Sequence, residues 1–507
     1  MAFDHSNGKP SWRSRCNVLA FFVCFFLLMS SGRIGSGDAG QQLSATMLAV
    51  TQGQLGTNDP PMTHYWVPSP NGKVYEPHDI GAIALMLPSA WLGAKLSHAS
   101  PDEMFRNPPL IAKVSVSLTY AIVCAFGCLY LFLLFAASYS VREAFLLSFT
   151  FAAGTYFLPY AKVCWDVAPC AAATCAFLYY VQRLLRPQAT LRTFIAAGLS
   201  LSVVAAFRYS FAPGMAAGLV ILFWRTRGPF VRYVALGAAF VVGLTPTFIY
   251  NAVRTGSILR PATATDFYLT TGTALHGDIP TGLVGLLISP NRGFFVYSPI
   301  LLLGLFLPLV WKTLREGEKR MIEAMLPGSL VYVLIIAKMN YWGAFGWGAR
   351  YMLPVLPVAM LALAPCLIAV ARRSSGAAAA LVLAAMLFNV PTALTNWHAV
   401  VAEFPGAILQ DNPQPKLLEG IWQGFEQGVR GEPTIFANSA PEALHDNARR
   451  FPDLWTFRLM DHSDTGRVLG WMLLVMFACG LAVTSRTIIA TRRQKGDGAS
   501  HQLATDI

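Results

Sequence analysis

The run IGAIALMLPSAWLGAKL, residues 80–96, decides the topology of this chain. It is apolar enough to enter a membrane, but it contains Pro88 and Gly93 and closes at Lys95. If it crosses, every later loop changes sides. If it lies along the surface, the basic clusters Arg183/Arg186/Arg192, Arg225/Arg227/Arg232, Lys312/Arg315/Lys319/Arg320, Arg372/Arg373 and Arg486/Arg492/Arg493/Lys495 all fall on one side. Short cytoplasmic loops carry the excess of Lys and Arg. The surface reading is therefore adopted, with 80–96 a juxtamembrane helix on the outer face.

Working outward, apolar runs near 17–31, 110–137, 144–161, 167–185, 193–208, 212–225, 233–250, 294–311, 321–338, 351–371, 376–395 and 467–485 read as spans. The fold class expected is an all-α polytopic membrane protein, a bundle of about twelve transmembrane helices with both termini cytoplasmic. Lys9, Arg13 and Arg15 precede the first run, and no small-x-small site follows it before Gly32, so that run is read as a retained span.

The composition agrees. Of 507 residues, 55% are hydrophobic and 13% charged, more apolar surface than a soluble domain can hide. The net charge of +12 sits in short loops between spans and does not suggest nucleic acid. Most of the nine cysteines lie in apolar runs (Cys24, Cys124, Cys128, Cys170, Cys175, Cys366, Cys479), which indicates neither a disulfide framework nor a zinc site.

With this topology the first span delivers GRIGSGDAGQQ, residues 32–42, to the outer face, with Asp38 a few residues past the lipid edge. A carboxylate held there is a candidate general base; a helix cap or turn is the alternative. Asp166, in TYFLPYAKVCWD (155–166), is a second candidate acid or an N-cap, with Lys162 four residues before it as a pairing or phosphate-binding group. Arg208, Arg292 and Arg350 also gather at that face, where the positive-inside rule disfavours them. An anionic ligand explains them, because the guanidinium fork suits phosphate. Tyr209, Tyr297, Tyr341 and Trp342 offer faces to a sugar ring, and His78 and Asp79 are further polar contacts for sugar or acceptor. Adjacent His78 and Asp79 make only half of a metal site, so no metal and no other cofactor is assigned.

Three stretches and a pair carry a family resemblance: SGDAGQQLSATMLAVTQGQL (36–55), YEPHDIGAIALMLPSAWLG (75–93), TYFLPYAKVCWD, and the pair LISPNRGFFVYSP (287–299) and WGAFGWGARYMLPVLP (342–357). In this order the chain resembles the GT-C superfamily of integral-membrane glycosyltransferases, in the branch of protein mannosyltransferases and aminoarabinose transferases. The resemblance covers roughly residues 17–395, and EPHDIG departs from the family pattern, which leaves His78 and Asp79 open. It implies a catalytic module over 1–395, with 32–109 as the first extracytoplasmic loop. Residues 396–466 follow as an extracytoplasmic interfacial segment and 467–507 as the last span and cytoplasmic tail. It also implies an enzyme of the inner membrane that moves a monosaccharide, with inversion, from a polyprenyl-phosphate donor to a lipid, glycan or protein hydroxyl. A lipid-linked sugar flippase without catalysis is the alternative; it predicts polar groups along a full path, whereas here they cluster at one face.

Overall fold

The first helix of the bundle, α1 (Trp12–Met29), starts where Ser11 Oγ accepts a hydrogen bond from Ser14 N at 3.1 Å. Its Phe21 ring meets Phe22, Phe145 and Phe149 edge-on and lies parallel to Phe25, which meets Phe149 edge-on. This computed structural model describes residues 10–60, 66–227, 229–261, 275–339, 342–343, 346–397, 416–432 and 451–490.

After α1 the chain turns into α2 (Gly37–Gln52), capped by Ser36 and ended by Gly53 in the left-handed region. Three two-residue strands follow, β1 (Gly56–Thr57), β2 (Val67–Pro68) and β3 (Val74–Tyr75). They form an antiparallel sheet in the order β1-β3-β2, with Tyr75 opposite both Gly56 and Val67. The sequence reading contains no strands here. The sheet's consequence is positional: β3 returns the chain so that residues 76–79 enter α3 (Ile80–Leu96) beside α2.

α3 is the 80–96 run. It packs against α2 and α5 (Leu110–Phe135) and, at 17 residues, is shorter than the helices long enough to cross. α4 (Pro101–Arg106) carries a Ser100–Glu103 capping box. α6 (Val141–Gly154) and α7 (Phe157–Lys162) break the expected 144–161 span at residues 155–156. α8 (Val167–Leu184), α9 (Leu191–Phe207) and α10 (Ala212–Thr226) follow. α11 (Phe230–Gly243) and α12 (Thr245–Thr255) are bent by 44° at Leu244, where Pro246 enters the next helix.

Among the described residues, six helices are long and apolar enough to cross a membrane by length and composition: α1, α5, Glu316–Ala337, Arg350–Arg373, Ser375–Leu394 and Asp464–Ile488. The α11–α12 pair is a seventh if counted as one span. Of the other runs read as spans, 167–185 forms α8, which matches α1 in length but is not among these six, 144–161, 193–208 and 212–225 form shorter helices, and 294–311 is a series of short α and 3-10 turns. Pro299 and Pro308, which lack an N–H, punctuate it. Large apolar side chains such as Val242, Leu309 and Val483 point outward, as they do on helices solvated by lipid. The chain is thus a helical integral-membrane protein.

Within 396–466, the helix Lys416–Arg430 buries Leu417, Gly420, Ile421 and Gly424, an i, i+3, i+4, i+7 stripe. Residues 451–454 run into the helix Trp455–His462, which packs on the last helix.

Candidate active site

Ser36 Oγ accepts from Ala39 N at 3.1 Å, so Ser36 caps α2 and Asp38 occupies the first turn. The cap alternative for Asp38 is thereby corrected. The carboxylate instead sits where the helix dipole favours negative charge, with its side chain about one-third open (32%). Its Oδ2 accepts from Arg350 Nη1 at 2.9 Å and from Trp165 Nε1 at 3.1 Å, and His78 Nε2 stands 3.5 Å away. Burial pushes the Asp38 pKa up. The charges of His78, Arg350 and Arg208 outweigh it and hold the carboxyl well below the usual range. Asp38 is ionised.

His78 bridges inward. Its Nδ1 pairs with Glu76 Oε1, a carboxylate with no exposure. Burial lowers the imidazole pKa, but Glu76 and Asp38 raise it well above the ordinary value, so His78 is a cation between two anions. Arg254, on α12, braces this turn: Nη1 donates to Glu76 O at 3.0 Å and His78 O at 2.6 Å, and Nη2 to Asn251 Oδ1 at 2.7 Å.

A second layer comes from the α9 corner. Arg208 Nη2 donates to Asp166 Oδ1 at 3.1 Å, and Tyr209 N donates to Asp79 Oδ2 at 3.0 Å. Burial pushes the Asp79 carboxyl up. Asp166 takes the cap position of α8 but makes no side-chain cap bond; Arg208 claims it instead. Arg208 lies over the Tyr351 ring at 5.1 Å, and Arg350 over Tyr351 at 5.3 Å and Trp165 at 4.6 Å. Two guanidinium groups therefore pack on the one Tyr351 ring. The Nε atoms of both are buried with no hydrogen-bond partner among the described residues. A buried guanidinium N–H left unpaired is costly, and an incoming anion would satisfy it.

The structure brings Asp38, His78, Asp79, Asp166, Arg208, Tyr209 and Arg350 into this connected network. Lys162 goes elsewhere. It pairs with Asp453 Oδ2 at 2.9 Å and donates to Ala393 O at 2.7 Å and Thr395 O at 3.1 Å. The expected Lys162–Asp166 pairing is corrected, and a lysine committed to three protein oxygens is not offered to a phosphate. Arg292 lies over Trp342 at 5.1 Å, on a separate aromatic wall. Tyr297 is fully buried, edge-on to Trp347 at 4.8 Å. Gly348 has φ +64, and a Cβ there would lie 2.9 Å from Tyr297 Cγ, so the position favours glycine. Tyr341 lies outside the described residues.

Three participants escape a reading of the sequence: Glu76, Trp165 and Asp453. Glu76 carries a signal in hindsight, two residues before His78 at the end of a strand. Trp165 adjoins Asp166, and Cys164 before it holds φ 59, an uncommon backbone for a non-glycine residue. Asp453 has no local signal. Among the described residues, no group of three or more His, Cys, Asp or Glu side chains is arranged to hold a metal ion.

No family model and no curated protein matches the sequence. Among solved structures, the fold matches ArnT from Cupriavidus metallidurans bound to undecaprenyl phosphate, with a TM-score of 0.51 at 14% identity, over 97% of this chain and 79% of that one. ArnT in the apo state matches with a TM-score of 0.47 at 14% identity, over 92% and 75%. At such identity the likeness is one of fold. The chain has a GT-C-like membrane fold, the architecture that its motifs resemble.

Proposed function

We propose that this protein is an inverting membrane glycosyltransferase that takes a monosaccharide from a polyprenyl-phosphate donor and passes it to an acceptor hydroxyl outside the cytoplasmic membrane. One observation carries the reading: an ionised, partly open Asp38 stands beside two stacked guanidinium groups with unpaired buried N–H. A structural neighbour's complex with undecaprenyl phosphate supports the donor class by fold analogy alone.

In this reaction the acceptor oxygen attacks the anomeric carbon as the bond from that carbon to the phosphate oxygen breaks. The acceptor proton goes to Asp38, and the electron pair leaves with the polyprenyl phosphate, which gains a negative charge. Arg208 and Arg350 stabilise that charge through fork-shaped donors. In the resting site Asp38 is too acidic to be a strong base. A donor phosphate that draws on Arg350 removes part of the charge that holds Asp38 down, so the base strengthens when the donor is in place. His78, as a cation, supports the phosphate side; Tyr351 and Trp165 are the aromatic floor. Arg292 and Trp342 form a candidate sugar wall, with the buried Tyr297 behind it.

The test is binding of undecaprenyl phosphate to the purified protein. Arg350→Ala and Arg208→Ala should each weaken it by about 1–3 kcal/mol, the worth of a charge-assisted hydrogen bond. Unchanged affinity in both variants would place the phosphate elsewhere.

A further inference from the structure

Asp453 belongs to FPDLWTFR, residues 451–458, more than four hundred positions from Asp38 in sequence, and the chemistry above makes no use of it. Its side chain has no solvent exposure, yet three cations converge on it. Arg33 donates from Nη2 to Oδ2 at 3.1 Å and from Nε to Oδ1 at 3.4 Å. Lys162 Nζ stands 2.9 Å from Oδ2, and Arg458 Nη2 donates to Oδ1 at 2.5 Å. Burial pushes the Asp453 carboxyl up, and the three cations bring it well below the usual range. Burying four charged groups costs desolvation that well-packed apolar residues would avoid, so such a cluster is weak evidence for stability. What it does supply is a fixed geometry.

That geometry has two arms. Arg33 lies five residues before Asp38. Lys162 lies three before Trp165, whose indole holds Asp38, and four before Asp166. The two loops also meet directly: Ser31 Oγ donates to Lys162 O at 3.2 Å and Cys164 Sγ to Arg33 O at 3.7 Å. The carrier of Asp453 is itself fastened. Asp453 N donates to Leu394 O at 2.7 Å, Trp455 N to Ser30 O at 3.0 Å, and Trp455 Nε1 to Leu27 O at 2.6 Å. Gly32, at φ +67, lets Trp455 close in: a Cβ there would lie 2.4 Å from the tryptophan Cβ.

We propose that Asp453 is a positioning residue for the Asp38 centre, a buried carboxylate that fixes the loop leading into Asp38 against the loop carrying Trp165 and Asp166. The activity it serves rests on the function proposed above; the clamp does not. Without the clamp the two loops separate, the Trp165–Asp38 bond lengthens, and the base loses its bearing on the acceptor. A misplacement of about 1 Å costs on the order of a hundredfold in rate.

The experiment uses the full-length protein in membranes with Asp453→Asn, which keeps size and loses charge, and Asp453→Glu, which restores charge. Cys164, buried between Lys162 and Trp165, is the local reporter, read by N-ethylmaleimide labelling and mass spectrometry. Asp453→Asn should raise Cys164 labelling about tenfold by local opening while Cys124, Cys128 and Cys175 stay protected. Transfer from a radiolabelled polyprenyl-phosphate sugar should fall by up to about a hundredfold. Undecaprenyl phosphate binding should fall less than transfer does, because Arg208 and Arg350 keep their charges and their shared contact with Tyr351. Asp453→Glu should recover part of both the protection and the rate. A protected Cys164 with wild-type transfer in Asp453→Asn overturns the proposal. So does labelling that spreads to Cys124, Cys128 and Cys175, which would make Asp453 a residue of the fold at large. If the wild type transfers no such sugar, the proposed function fails, and Cys164 labelling alone decides the clamp.

Discussion

In the proposed reaction Asp38 is caught between two demands. It must be ionised to take a proton, and three cations ensure that. It must also be basic enough to hold the proton during attack, and the same cations oppose that. Sharing Arg350 between carboxylate and donor phosphate resolves the conflict. Arg350→Lys should therefore recover only part of the undecaprenyl phosphate affinity lost in Arg350→Ala, since an ammonium offers a point charge and no fork. Full recovery, measured by the same binding titration, would show that charge alone matters. Much of this centre was legible in the sequence. Asp38, Asp166, Arg208 and Arg350 stand at the ends of apolar runs, where a charge needs a reason. The partners were not legible, because the Trp165–Asp38 and Arg350–Asp38 bonds join positions 127 and 312 residues apart. Lys162 illustrates the limit: its position suggested a ligand, and a distant carboxylate claimed it.

Elements aim these residues. α2 presents Asp38 in its first turn because Ser36, in extended backbone, takes the cap position two residues earlier. Ser36→Ala removes that cap and should cost about 1 kcal/mol of stability, with a modest fall in transfer. Thermal unfolding in detergent measures the first, and no shift would mean that packing against α3 alone sets the start of α2. α3 begins at Asp79, which gives its carboxylate to the α9 corner rather than to its own helix end. The small sheet between α2 and α3 was invisible to periodicity, since two-residue strands are too short to show alternation. The expected 144–161 span breaks into α6 and α7, and the turn after α7 carries Trp165, whose indole donates to Asp38 at 3.1 Å.

At the scale of the whole molecule, apolar run lengths and basic loops were enough to anticipate a helical bundle in a membrane, because lipid demands helices and leaves few other solutions. They were not enough to foresee that residues 451–458 would return to the site. Sidedness is a prediction of the charge pattern: cysteines introduced at Asn71 and Asp102 should both react with an impermeant maleimide from outside, and reaction from opposite sides would make α3 a span. The most direct measurement is sugar transfer from radiolabelled polyprenyl-phosphate donors in membranes carrying wild type or Asp38→Asn. Asn keeps the shape of Asp, and Ser36 caps the helix in either variant, so insertion should be unchanged, and thermal unfolding measures whatever stability the lost Arg350 ion pair contributed. The account predicts that transfer falls at least about a hundredfold, the low end for loss of a general base, with undecaprenyl phosphate still bound. Transfer at a near wild-type rate in Asp38→Asn would contradict it and make Asp166 the leading candidate for the base.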